Sequence, residues 1–359
     1  MSKNTESKKN TGFKALKQWF TKDGFQEEII ERRFNIDGFI KDIKKKTIPK
    51  NRIDLLSYPG WIALFLFVVE ILTGILLMLY YHPTVAEAYA NVRYITNVIN
   101  FGWLFRGIHY WGSHIMIIFV FLHMLQTFFR GGYKAPKELV WISGVILWMF
   151  TLLLGLTGYL LPWNQVSYWA VTVVTEVPMA FPYVGNFVKE LVRGGADVSQ
   201  VTLTRFYALH VVLIPVLVSI VLFIHLFAIR KHLVPRDLLT YIVSFILIFG
   251  LLLSLATLFP APIKAKADPF LTPPSVKPEW YFLASLAVLQ YAGKLEFLGS
   301  WAPKLLGAIF QLIFIVFLFL IPFLDRGKAR NPKKRPIAIS LGIIVTVGFI
   351  ILTLLGHWA

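Results

Sequence analysis

Seven apolar stretches, at roughly 61–81, 107–129, 139–161, 208–229, 238–259, 304–324 and 336–356, are each long enough to cross a hydrocarbon layer about 30 Å thick. Inside lipid every backbone N–H and C=O must be satisfied within the segment, so stretches of this kind fold as helices. The chain is 57% hydrophobic, 16% aromatic and only 15% charged over 359 residues, which is too apolar for a water-soluble domain. The expected fold class is therefore an all-α integral membrane protein with seven transmembrane helices. The first fifty residues are polar and charged, so no cleavable signal peptide is expected there. The chain contains no cysteine, which excludes disulfides, thiolate metal sites, iron–sulfur ligation and thioether-linked haem within it.

A net charge of +17 would suit a nucleic-acid binder, but its distribution points elsewhere. With the N-terminus inside, the segments 1–60, 130–138, 230–237 and 325–335 fall on the inner face. They carry 26 of the 36 Lys and Arg residues, although the outer loops are longer. This is the positive-inside bias, and it orients the chain N-in and C-out, with anionic lipid rather than nucleic acid as the partner of the basic surface.

The chain divides into a tail, a four-helix unit and a three-helix unit. Residues 1–24 are polar and read as a disordered tail. Residues 25–46 alternate apolar and charged residues at helical spacing. They suit an amphipathic surface helix within 25–50, or a tail ordered by a partner subunit. The four-helix unit covers 51–232 and the three-helix unit 233–359. The outer loop 162–207 has helical potential of its own, the outer loop 260–303 is rich in Pro and Lys, and no fixed-period repeat is present.

Four histidines lie within the apolar stretches: His109 and His123, 14 residues apart, and His210 and His225, 15 apart. At 3.6 residues per turn each pair falls near one helix face, about 21–22 Å apart along it. Two such helices side by side offer two bis-imidazole clamps, one in each half of the bilayer, suited to two haems. His114 lies about 140° around the helix from His109, so it misses that face and suits a bond to a neighbouring helix. His82 and His357 fall at span ends, where interfacial polarity accounts for them.

Gly60 and Gly74, and Gly144 and Gly158, repeat the 14-residue spacing on helices that carry none of the four histidines. They fit either a flat macrocycle against bare backbone or ordinary small-residue helix packing. Arg106 and Arg230 sit at opposite ends of the expected di-haem column, where each suits either haem propionates or interfacial anchoring.

Several longer motifs extend this picture: Pro278-Glu279-Trp280-Tyr281, TGYLLPWNQVSYWAV at 157–171, FGWLFRGIHYWGSH at 101–114 and TLTRFYALH at 202–210. With these, the chain resembles cytochrome b of the cytochrome bc complexes over roughly residues 30–357, in particular the b6f type. The 15-residue gap between His210 and His225 and the seventh, final span match that type. The b6-like and subunit IV-like parts, usually separate polypeptides there, are fused here around HLVPRDLL.

The resemblance implies that His109 and His210 ligate a low-potential haem b near the outer face, and that His123 and His225 ligate a high-potential one near the inner face. It implies oxidation of a quinol at an outer pocket, with one electron passing to a Rieske iron–sulfur protein and the other crossing to an inner quinone site. A c-type cytochrome subunit, a homodimeric complex and release of two protons per quinol outside are implied as well. Glu279 is the expected proton acceptor, since burial raises a carboxyl group toward working pH; an exposed surface Glu is the plainer alternative. Tyr281 would share the hydrogen bond to quinol, with Pro278 and Trp280 shaping the loop. Arg230, Lys231, His232 and Asp237 are candidates for the inner site, or simply a positive-inside cluster with a capping Asp.

Three positions depart from the family pattern, the smallest departure being Asn164 after Leu161-Pro162-Trp163. Ser57 stands where the b6 type has the cysteine that holds a covalent c-type haem, so no such haem is expected. Glu70, where the family usually has Gln, reads either as a neutral acid bonded to a neighbour or as a proton-pathway element. Two further functions compete. A membrane-anchor cytochrome b would share the histidines but lack the PEWY segment and the long outer loop, and a transporter would bind no haem.

Overall fold

In the computed structural model, described over residues 58–230, 238–273 and 276–358 (without the side chains of 238–240), all regular structure is helical. The expected tail at 1–24, the surface helix at 25–50, Ser57, Lys231, His232 and Asp237 lie outside the described residues. The helices are α1 (Pro59–Met78), α2 (Ala88–Asn97), α3 (Gly102–Phe129), α4 (Glu138–Leu160), α5 (Gln165–Glu176), α6 (Gly185–Arg193) and α7 (Gln200–Ala208). A π-helical turn, Leu209–Leu213, joins α7 to α8 (Ile214–Ile229). Then follow α9 (Leu238–Leu258), α10 (Trp280–Ala292), α11 (Ala302–Leu324) and α12 (Pro336–Trp358).

Seven of these helices are long and apolar enough to span a membrane: α1, α3, α4, the continuous α7–α8 unit at Gln200–Ile229, α9, α11 and α12. They coincide with the seven apolar stretches. Large apolar side chains such as Leu72, Ile246, Ile313 and Ile344 point outward, as lipid-facing residues do.

Packing is pairwise. Helix α1 lies on α3 and α4 lies on α8, so α3 and α8 face each other across the interior of the four-helix unit. Helix α9 packs on α3 and α1, burying Ile248, Leu252 and Ala256 against Ile62, Leu66 and Ile108. Helix α11 packs on α4, where Trp141 donates its indole N–H to the Leu318 carbonyl at 2.7 Å. A short helix, α10, fills the space between α11 and α12.

One end of the molecule is fastened by charge. Asp325, at the end of α11, accepts from Lys134 at 2.5 Å, from the Tyr133 hydroxyl at 2.6 Å and from Arg335 at 3.0 Å. Arg335 also bonds Tyr133, and Arg330 reaches the Lys134 and Ala135 carbonyls. The basic segments 130–137 and 325–335 therefore share one end of the bundle. Burial opposes ionisation of Asp325, but these donors outweigh it and hold its carboxyl below the usual range.

At the opposite end, the loop 162–207 folds into α5 and α6. Asn164 caps α5, accepting from the Ser167 N–H at 3.0 Å, and the Asn164 N–H donates to the Ser167 hydroxyl at 3.3 Å. Fully buried Arg193 locks the loop through Thr175 (2.6 Å), Glu176 (2.9 Å) and the Thr172 carbonyl (2.6 Å). Segment 163–165 pairs with 265–267, joining the two long loops at this end.

Candidate functional site

The imidazoles of His109 and His210 face each other from α3 and the π turn, with ring centres 6.2 Å apart and planes crossed at 83°. His123 and His225 repeat this at 6.4 Å and 80°. A nitrogen ligand about 2 Å from a metal puts its ring centre about 3.1 Å away, so two axial imidazoles have centres about 6.3 Å apart. Both pairs match that separation. Because α3 is continuous, the two sites are about 21 Å apart along the bundle.

The second nitrogen of three of the four rings is already engaged. His109 Nδ1 lies 3.0 Å from the Thr73 hydroxyl, His225 Nδ1 2.9 Å from Ser143, and His210 Nδ1 3.3 Å from Thr157 and 3.1 Å from the Leu154 carbonyl. Each hydroxyl donates to a carbonyl of its own helix: Thr73 to Val69, Ser143 to Val140 and Thr157 to Leu153. Each therefore accepts Nδ1–H, and Nε2 is left bare toward the opposite imidazole. A bare Nε2 oriented by a bonded Nδ1–H is what a haem-ligating histidine needs.

The glycines serve the imidazoles more directly than a macrocycle face. A Cβ on Gly158 would stand 2.5 Å from His210 Cε1, and one on Gly60 would stand 2.9 Å from His123 Cε1. At Gly74 and Gly144 the gaps to His109 and His225 are 3.4 Å. Each glycine thus gives clearance to one ring edge. Sequence reasoning recovered the glycines but missed the hydroxyl before three of them, in Thr73-Gly74, Ser143-Gly144 and Thr157-Gly158. The fourth dipeptide is Pro59-Gly60, and among the described residues His123 Nδ1 has no hydrogen-bond partner.

The π turn accounts for the unequal histidine spacings. In an α-helix 14 residues advance about 40° short of whole turns, whereas 15 overshoot by about 60°. The Ile214 N–H bonds the Leu209 carbonyl five residues back, which absorbs one residue beside His210. His210 and His225 then share the phase of His109 and His123.

Around the first pair lies a cavity of about 860 Å³. It is lined by His109, His210, Gly74 and Gly158, and also by Glu279, Tyr281, Tyr159 and Lys264. The PEWY segment therefore opens onto the same space as this imidazole pair. Glu279 precedes α10, and burial raises its carboxyl above the usual range against the opposing pull of Lys264. Burial also raises the Tyr281 phenol, keeping it a proton donor.

Glu70 projects from α1 into this region, with Oε2 3.0 Å from His109 Nδ1 and Oε1 against Gly112. Arg106 lines the cavity, while its two Nη groups donate to the Ala261 and Pro262 carbonyls. Arg230 is buried at the end of α8, stacked 4.2 Å from the Phe227 ring centre.

Two family models divide the chain. The one described as cytochrome b/b6/petB matches residues 43–233, and the one described as cytochrome b (C-terminal)/b6/petD matches 266–359. A cytochrome bc complex cytochrome b subunit of Chlorobaculum thiosulfatiphilum is 39% identical over 343 residues, covering 90% of this chain and 78% of that one. The chain belongs to the cytochrome b family. Cytochrome b6 of Chlamydomonas reinhardtii is 45% identical over 202 residues, which is 56% of this chain and 94% of that protein. Among solved structures, a chain of a hyperthermophilic respiratory Complex III superposes with a TM-score of 0.78 at 28% identity, covering 92% of this chain and 91% of that one. This cytochrome b carries b6-like and subunit IV-like parts in one polypeptide, as the integral membrane subunit of a bc-type electron-transfer complex. Membership implies haem b, and the residues described above fit that group.

Proposed function

We propose that this cytochrome b oxidises quinol at its outer face and carries one of the two electrons across the membrane. The observation that supports this best is the outer imidazole pair opening onto the same cavity as Glu279. His109 with His210, and His123 with His225, would each hold one haem b, within a four-helix part at 51–232; residues 233–359 form the three-helix part. The two haems, when bound, would supply the electron path between the membrane faces.

The chain's own residues do the rest. The cavity walls receive the aromatic ring and apolar tail of the quinol. Glu279, as the carboxylate, accepts one hydroxyl proton, and Tyr281 and Tyr159 stand beside it to hydrogen-bond the quinol oxygen. A quinol gives up two protons and two electrons in becoming quinone. One electron goes to a Rieske iron–sulfur protein, which passes it to a c-type cytochrome subunit. The other crosses to a quinone at the inner face, near Arg230, Lys231, His232 and Asp237. Both protons leave on the outer side. The complex is a homodimer in a bacterial inner membrane, with this chain's N-terminus inside and its basic segments against anionic lipid.

The test is Glu279→Gln in the whole complex. Quinol-to-acceptor turnover should fall by about 10²–10⁴-fold, the worth of a general base, with both haems retained. Unchanged turnover would remove Glu279 from the reaction.

A further inference from the structure

His114 is buried on α3 in a box of aromatic rings, with ring centres 4.6 Å from Tyr110, 5.7 Å from Trp111 and 5.9 Å from Tyr281. It lies five residues from His109, and the imidazole pairs do not use it. Its bond to a neighbouring helix is as the spacing suggested, but that neighbour is the PEWY segment itself. Trp280 Nε1–H donates to His114 Nδ1 at 3.0 Å. An indole N–H can only donate, so Nδ1 must be the acceptor and the ring proton of the neutral imidazole resides on Nε2. That Nε2–H points at the quinol pocket, 3.8 Å from Glu279 Oε2.

We propose that His114 is a positioning residue of the quinol pocket: Trp280 fixes it as the Nε2–H tautomer, and that N–H holds the Glu279 carboxylate in place to receive the quinol proton. The inference rests on the reading of Glu279 as the proton acceptor. At 3.8 Å the contact is longer than a hydrogen bond, and loading of quinol closes it, as catalytic hydrogen bonds often tighten in the substrate complex. The proton balance is simple. The quinol hydroxyl proton moves to the Glu279 carboxylate, and His114 keeps its own throughout. Because Nδ1 is occupied by the Trp280 donor, His114 is not the next proton acceptor. Neutralising Glu279 weakens its contact with the imidazole, which frees the carboxyl group to carry the proton away. The other charged or titratable groups that face Glu279 are Lys264 from the loop after α9, Tyr110 from α3, Tyr159 from α4 and Tyr281 from α10.

The experiment uses the assembled complex with a soluble quinol and compares His114→Phe, His114→Gln and Glu279→Gln. Readouts are kcat and KM across pH, together with the optical spectra and midpoint potentials of both haems. Loss of the donor in His114→Phe should lower kcat/KM about tenfold and move the acid limb of its pH profile up by about one unit, leaving both haem potentials in place. Glutamine, with an amide donor and an acceptor for Trp280, should restore most of the activity and return the limb. If His114→Phe does not assemble, His114→Met removes the donor at similar bulk and carries the same expectation. An acid limb and kcat/KM that stay put without the donor, in a complex that Glu279→Gln does slow, would overturn the role of His114 while leaving that of Glu279. Full turnover in Glu279→Gln would overturn both.

Discussion

The four glycines against the imidazoles differ in clearance, and this makes an asymmetric prediction. Ordinary van der Waals contact for a Cβ begins near 3.4 Å. In Gly158→Ala the new methyl group would be 2.5 Å from His210 Cε1 and 3.0 Å from both ring nitrogens. The ring must therefore retreat by about 0.9 Å, while its Nδ1 is anchored to Thr157 and the Leu154 carbonyl. Gly60→Ala crowds His123 less, at 2.9–3.2 Å. Gly74→Ala and Gly144→Ala meet their rings at 3.4 Å and need almost no adjustment. Overpacking of this kind costs about 1–3 kcal/mol, or roughly 5- to 150-fold in retention of whatever the ring holds. Gly158→Ala should therefore lose or weaken the outer haem alone, and Gly60→Ala the inner one to a smaller degree. Gly74→Ala and Gly144→Ala should keep both. The assay is haem content per chain by extraction, with a redox titration to assign which haem is missing. Equal loss across all four variants, or full occupancy with unshifted potentials in Gly158→Ala, would refute the account of ring clearance.

Other outcomes follow from the same geometry. Quinol oxidation should rise with pH through an acid limb above the usual carboxylate range of about 4.3, because only the ionised form of Glu279 accepts a proton and burial raises its carboxyl; the limb should be missing from the residual rate of Glu279→Gln. Glu70→Gln removes a carboxylate from His109 Nδ1 and should raise the midpoint potential of the outer haem with no change at the inner one, as read by titration. Asp325→Asn leaves Lys134 and Arg335, with side chains only 5% and 2% exposed, without their anion. Its cost should fall at or below the low end of about 3–5 kcal/mol because Asp325 is itself partly exposed, seen as a lower unfolding temperature of the detergent-solubilised complex. Deletion of Val212, within the π turn, should convert that turn to a regular α-helix with the histidines 14 apart and in phase, so both haems should remain by spectrum.

Much of this molecule was legible in the sequence because lipid leaves few choices. A run of twenty apolar residues in a bilayer must be a helix, so all seven spans emerged. The second and fourth begin earlier than their apolar stretches, at Gly102 and Gln200. The histidine pairs and glycine spacing were visible too, since both obey helical periodicity. What periodicity hides is the irregular turn: the extra residue between His210 and His225 was plain, but its absorption by a π turn depends on the Ile214 N–H reaching Leu209. The hydroxyls of Thr73, Ser143 and Thr157 were readable, one residue before three spaced glycines, yet Ser and Thr are too common in membrane helices to draw notice. Glu70 stood out as an acid in an apolar span, but its neighbour follows only from α1 packing on α3. His114 was set aside because it lies off the face shared by His109 and His123. Its partner lies 166 residues away at Trp280, a contact made by tertiary packing and by nothing local.

The central claim is a pair of bis-imidazole sites stacked across the membrane, and a potentiometric titration of the purified protein tests it most directly when followed by optical spectra and haem extraction. Two extractable b-type haems per chain, titrating at separate potentials, with one lost in a His210 variant and the other in a His225 variant, is the predicted result. A single haem, or none, would contradict the pairing of His109 with His210 and of His123 with His225.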